Sequence, residues 1–126
     1  MAELRFTKEH EWTRVEGDIC VCGISDYAQK SLGDVVYVEL PAVGRQVNQG
    51  DQIAVVESAK AASEVYAPVT GEVIAVNDTL TSKPGNVNIS AMGDGWFFKI
   101  RSSEKIPGQE LLTEAAYQNY LKGLNT

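Results

Sequence analysis

The chain has 126 residues, 44% of them hydrophobic, which is enough for one domain with a real core and no help from disulfides or a metal. Seventeen acidic against eleven basic residues leave a formal net charge of −6, which argues against binding a nucleic-acid backbone or an anionic membrane surface. No apolar run reaches the length of a membrane span, and the opening MAELRFTKEHEW shows neither a signal peptide nor an Arg-rich transit segment; a cytoplasmic protein is expected, although a processed mitochondrial chain reads the same way.

Short strand-like runs alternate with turn signals along the chain. Leu4 to Phe6 and Glu11 to Val15 come first, followed by Ile19 to Gly23, which carries both cysteines. Cys20 and Cys22, two apart on a strand, share a face and are badly placed for a mutual disulfide; with His10 upstream they match no common zinc spacing. They read as small, half-buried thiols. Ser25 can cap a short helix over 26–32 that stops at Gly33. Val35 to Leu40 then predicts a strand, with Val36, Val38 and Leu40 on one face.

Pro41-Ala42-Val43-Gly44 and Asn48-Gln49-Gly50-Asp51 read as turns before a strand over Gln52 to Glu57. Strands over Ser63 to Tyr66 and Gly71 to Val76 follow, the second entered through the turn Pro68-Val69-Thr70-Gly71. Lys83-Pro84-Gly85-Asn86 is another turn signal, and Trp96 to Ile100 predicts a last strand with Trp96, Phe98 and Ile100 on one face. Near the end Thr113 can cap a helix over about 114–122, stopped by Gly123, whose Ala116, Tyr117, Tyr120, Leu121 and Leu124 make one apolar stripe. The expected fold is mostly β: two small antiparallel sheets in a sandwich or barrel over a single domain, 1–126. Trp12, Trp96 and Phe98 read as core, and His10 as structural, since it has no visible catalytic partner.

If the strands over 52–57 and 63–66 pair antiparallel, residues 58–62 connect them and Lys60 stands at the tip. Two segments around it, VGRQVNQGDQIAVVE and APVTGEVIAVNDTL, are loosely alike, each pairing a Gly-containing turn with an alternating strand. Taken locally, Lys60 reads first as a solvated surface lysine, one of seven lysines in the chain. Its surroundings set it apart: Ala59, Ala61 and Ala62 are poor turn formers, yet they leave clearance around one long side chain. A nucleophilic lysine fits less well, because Glu57 and Glu64 favour the charged amine.

The stretch Glu57-Ser58-Ala59-Lys60-Ala61-Ala62-Ser63-Glu64, followed by Ala67-Pro68-Val69-Thr70-Gly71-Glu72-Val73, resembles the lipoylation hairpin of the H-protein family of the glycine cleavage system. So do Thr7-Lys8-Glu9-His10-Glu11-Trp12, the run from Gly23 to Gln29, the run from Leu32 to Pro41, and Gly93-Asp94-Gly95-Trp96 with Phe98-Lys99-Ile100. These matches stand in order along nearly the whole chain. Biotin carriers would place methionines beside the lysine, and 2-oxoacid dehydrogenase lipoyl domains are shorter with Asp before it. Either chemistry is possible at Lys60, but neither explains residues 1–40 or 104–126.

The resemblance implies a lipoyl/biotinyl-domain-like fold and a carrier, not an enzyme. Lys60 would bear lipoic acid in amide linkage, taking the net charge from −6 to −7. The arm would collect the aminomethyl group of glycine from a pyridoxal-phosphate glycine decarboxylase (P protein) and pass its carbon to tetrahydrofolate on an aminomethyltransferase (T protein). The FAD-containing dihydrolipoamide dehydrogenase (L protein) would then reoxidise the dithiol. A lipoate ligase or lipoyl transferase/synthase would read the hairpin residues Glu57, Ser58, Ala59, Ala61 and Ala62. Glu11 and Glu64 stand where the family places carboxylates of the arm's cleft; by themselves they read as solvated surface glutamates. A monomer with neither nucleic acid nor membrane among its partners is expected.

Three departures from the family pattern stand out. Ala59 replaces the usual Val before the lysine, Asn86 an apolar residue, and Ala91-Met92 a Pro-Tyr pair. Loss of that proline should loosen the loop, and an H-like paralogue that relays lipoyl groups to other enzymes is the alternative reading.

Overall fold

The computed structural model describes residues 3–102 and 111–124. Among them, nine strands form two antiparallel sheets. The larger is ordered β1 (Glu3–Phe6), β2 (Glu11–Glu16), β3 (Ile19–Ile24), β9 (Phe98–Ser102), β8 (Gly71–Val76), β5 (Gln46–Val47), and the smaller β4 (Val35–Glu39), β6 (Gln52–Ser58), β7 (Ala62–Tyr66). Four helices accompany them: α1 (Asp26–Leu32), α2 (Thr79–Ser82), α3 (Asn86–Ile89) and α4 (Glu114–Leu124).

Side-chain alternation explains how β3 serves two cores at once. Cys20, Cys22 and Ile24 point into the main cluster, where they meet Val73, Phe98 and Ile100 of their own sheet and Val38, Val56 and Val65 of the smaller one. Val21, on the opposite face, joins Phe6, Trp12 and Tyr117 under α4, where the Phe6 and Tyr117 rings stack at 4.3 Å between centroids. Burial of each such side chain contributes roughly 1.5–3 kcal/mol relative to leaving it in water. The cysteines are fully buried rather than half-buried, and burial pushes both thiols above their ordinary pKa. They are free, inert core residues.

The helix signals hold. The Ser25 hydroxyl accepts the Ala28 amide at 3.2 Å, and Gly33, at φ 83°, closes α1 by donating its N–H to Gln29. The Thr113 hydroxyl accepts from Ala116 at 3.1 Å, although α4 runs on through Gly123 to Leu124. Tyr117 carries most of its stripe's burial; Ala116, Tyr120 and Leu121 are half-buried, and the Leu124 side chain lies outside the described residues.

Two expectations are corrected. Val36 does not share a face with Val38 and Leu40: a β-bulge between Val35 and Tyr37 breaks the alternation, so Val35 and Val38 point inward while Val36 and Tyr37 both point out. The last strand starts at Phe98, not Trp96; Phe97 donates its N–H across to the Cys22 carbonyl, and Trp96 packs half-buried against the α4 cluster. The turn signal at Lys83–Asn86 holds, with the Asn86 N–H donating to the Lys83 carbonyl at 3.1 Å, and the chain runs straight on into the helical turn α3. Strand β5, only two residues long, escaped a reading by periodicity, yet it pairs Val47 with Gly71 and so joins the two loosely similar segments. Gly71 is needed there because a Cβ would strike the Arg101 backbone.

The departure at Ala91-Met92 is tied down by other means. The Ala91 carbonyl accepts the Trp12 indole N–H at 2.9 Å, the Met92 carbonyl accepts from Arg14 at 3.1 Å, and the Met92 side chain packs against the α4 cluster.

Candidate functional site

Strands β6 and β7 pair in register up to Glu57 opposite Ala62, so the connection narrows from the expected 58–62 to Ala59, Lys60 and Ala61. The alanines have no side-chain means of making a turn, and Ser58 supplies it. Its N–H donates to the Ala61 carbonyl at 2.7 Å, and its hydroxyl accepts from the amides of Lys60 at 3.3 Å and Ala61 at 3.1 Å. Ala59, Lys60, Ala61 and Ala62 are exposed, while Glu57 and Ser58 are half-buried. The lysine stem lies back along the protein: its Cε is 3.5 Å from where a Gly33 Cβ would stand, so the missing side chain at the end of α1 gives the lysine room.

Gly33 follows Leu32, which walls a cleft of about 180 Å³. Ile24, Tyr27, Ala28 and Val56 give the cleft an apolar side, and Glu9, Glu11 and Glu64 an acidic one. The two glutamates singled out from sequence are thus brought to one cleft, and Lys60 stands beside its wall.

The two carboxylates differ in kind. Glu64 is exposed, and its Oε2 accepts the Tyr66 phenol at 2.9 Å, which raises the Tyr66 pKa through that hydrogen bond and the carboxylate's charge. Glu11 is only 2% exposed, so the expectation of a solvated glutamate fails for it. Burial raises its pKa to about 7, against the pull of two donors: the Thr7 hydroxyl on Oε1 at 2.7 Å and the Tyr66 N–H on Oε2 at 3.2 Å. A carboxyl with its pKa near neutrality can take up or release a proton at little cost there, which a solvated one cannot.

The residues that orient these carboxylates escaped the sequence reading. Tyr66 holds both, one through its phenol and one through its backbone. Thr7 accepts the amides of Glu9 at 3.2 Å and Glu11 at 3.1 Å while donating to the Glu11 side chain, a side-chain turn whose signal was the Thr followed by polar Lys8-Glu9. His10 also lines the cleft, and its ring is tied to the α4 side. Its backbone takes φ 69°, Nδ1 lies 2.8 Å from the Tyr117 hydroxyl, and that hydroxyl lies 2.7 Å from Ser25 Oγ. The ring is thereby fixed against α4, and burial lowers its pKa.

The family model described as glycine cleavage H-protein matches residues 4–124. The chain belongs to the glycine cleavage H-protein family. It is 56% identical over 124 residues to the glycine cleavage system H protein of Parvibaculum lavamentivorans, covering 98% of this chain and 99% of that one. The corresponding protein of Rhodospirillum rubrum is 55% identical over 126 residues, covering 99% and 100%. Among solved structures, a glycine cleavage system H protein of Mycobacterium marinum superposes with a TM-score of 0.88 at 31% identity, covering 95% of this chain and 97% of that one. An H protein is the carrier subunit of glycine cleavage and has no catalysis of its own; the family carries lipoate and works with the enzymes of that system.

Proposed function

We propose that Lys60 is the lipoyl attachment point of this chain, 1–126 acting as one carrier domain, and that the acidic cleft beside it receives the loaded end of the arm. The observation that carries this is the three-residue tip: an exposed amine, flanked by three exposed alanines, on a turn held by Ser58 and leaning on Gly33, the residue after the cleft-lining Leu32. The residues fit the group, since an amide at Lys60 Nζ leaves the hairpin free and the cleft has an apolar side for a hydrocarbon arm. When bound, lipoic acid supplies a dithiolane that accepts the aminomethyl group from glycine and returns as a dithiol.

The chain's own residues do the rest. Glu64 and Glu11 offer carboxylates to an arriving ammonium, and Glu11 gives up its raised pKa as that cation replaces the lost solvation. Ile24, Leu32 and Val56 exclude water from the cargo. Glu57, Ser58, Ala59, Ala61 and Ala62 are the surface that a lipoate ligase or lipoyl transferase meets. The decarboxylase, the aminomethyltransferase and dihydrolipoamide dehydrogenase are the partners of the cycle. The compartment is the cytoplasm, and the carrier works as a monomer.

Mixing the lipoylated chain with glycine decarboxylase and following exchange of labelled bicarbonate into glycine tests this. Exchange should depend on the carrier and vanish with Lys60→Arg. A lipoylated chain that supports no exchange favours the relay paralogue suggested by the departures at Asn86 and Ala91-Met92.

A further inference from the structure

Four large apolar side chains are exposed among the described residues: Ile89 at 82%, Val43 at 61%, Val36 at 57% and Tyr37 at 47%. Singly, such residues need no explanation. Three of the four, however, lie on segments that meet beside the tip of the lysine hairpin. The Asn88 side chain accepts the Val35 N–H at 2.8 Å and donates to the Gly33 carbonyl at 2.9 Å, tying α3, and Ile89 with it, to the segment that enters β4. Val35 pairs with Ser58 and Tyr37 with Glu57, and the bulge between Val35 and Tyr37 turns two successive apolar side chains to solvent there. Gly33, in turn, adjoins the Lys60 stem. Val43 lies beyond the opposite end of β4, away from the tip.

The fold gives no packing reason for this display. An unbroken alternation would turn outward only one of Val36 and Tyr37, and α3 completes its core contact through Val87. Bulges commonly re-aim side chains beside functional sites. The rim is acidic: Asp34 and Glu39 are exposed, Glu57 is half-buried opposite Tyr37, and the whole chain carries −6.

We infer that Val36, Tyr37 and Ile89 form the docking surface for the enzyme that acylates Lys60, a partner presenting an apolar patch rimmed by Lys and Arg. The inference rests on the reading of Lys60 as the attachment point. In that reaction Nζ bonds to the carbonyl carbon of an activated acyl group, the leaving group departs with the bonding pair, and Nζ loses a proton. The reacting atom is the lysine nitrogen itself, so the enzyme must cover the ground within one side chain's reach of Gly33. Partners that work on the far end of the lipoyl arm are not held to that ground. Opposite charge around an apolar centre speeds encounter and fixes orientation.

Steady-state lipoylation of the unmodified full chain by a lipoate ligase with lipoate and ATP, scored by intact mass, is the test. Val36→Thr and Ile89→Ser should each raise KM for the chain about fivefold with kcat nearly unchanged. Val43→Thr should behave as the parent, and added salt should raise KM for the parent. Unchanged thermal midpoints would show that the variants fold. A Val36→Thr/Ile89→Ser chain acylated with the parent's KM, or one that loses kcat alone, overturns the docking surface while leaving the carrier reading intact. A parent chain that takes up no acyl group overturns both.

Discussion

Glu11 concentrates the chemistry of the site in one side chain. An acid whose folded pKa is about 7 and whose unfolded value is 4.5 binds more protons folded than unfolded between those limits. Stability therefore falls as pH rises through that window, by on the order of 3 kcal/mol, and this group adds no further change above it. Glu11→Gln should abolish that slope and make the chain at least as stable as the parent at pH 8, read by denaturant midpoints across pH 4 to 8. A slope that survives the substitution would mean the carboxyl is not destabilised by burial. The same proton competes with a cargo ammonium, which lowers the Glu11 pKa once it docks, so a loaded carrier should release its cargo faster only as pH falls well below 7, and Glu11→Gln should release it fast at any pH. Keeping a carboxyl at 2% exposure at a cost to the fold fits a residue held for function. From sequence, Glu11 could be named only through the family motif, because local pattern cannot say that Thr7 and Tyr66 will close over it.

At the scale of elements, alternation and caps explain most of what was legible. Ser25 and Gly33 bound α1 as their types dictate, and Thr113 caps α4. The reading failed where a local irregularity overrode period two. The bulge in β4 moved Val36 outward, and the two-residue β5 offered no period to detect. Both depend on pairing partners far away in sequence, Ser58 and Glu57 for the first and Gly71 for the second. Gly71 shows how tightly such pairing is set: a Cβ there would strike the Arg101 carbonyl and crowd the Ile100 side chain, both on β9. Gly71→Ala should cost at least 1–3 kcal/mol, lowering the urea midpoint with the m-value unchanged. Gly50→Ala, where a Cβ has open space but φ is 91°, should cost about 1 kcal/mol through backbone strain alone. Equal midpoints for Gly71→Ala and the parent would show that β8 and β9 are looser than their register implies.

For the molecule as a whole, the arrangement of two sheets and a C-terminal helix was legible because many short alternating runs with turn residues between them have few ways to bury their apolar faces. The candidate site was legible only in part. Lys60 stands out by its alanine setting, but a lone hairpin lysine is ordinary, and what separated it was an ordered set of motifs from His10 to Ile100. The cleft could not be read from the sequence, since it is built from β2, β3, α1, β6 and β7 together. The tertiary fold thus unites an exposed amine, a glycine that gives it room and a pair of unequal carboxylates. The measurement that tests this most directly is intact mass and peptide mapping of the chain expressed with lipoate and its ligase. One lipoyl increment should appear, located on Lys60 and lost in Lys60→Arg. An unmodified chain, or a lipoyl group on any of the other six of its seven lysines, would contradict it.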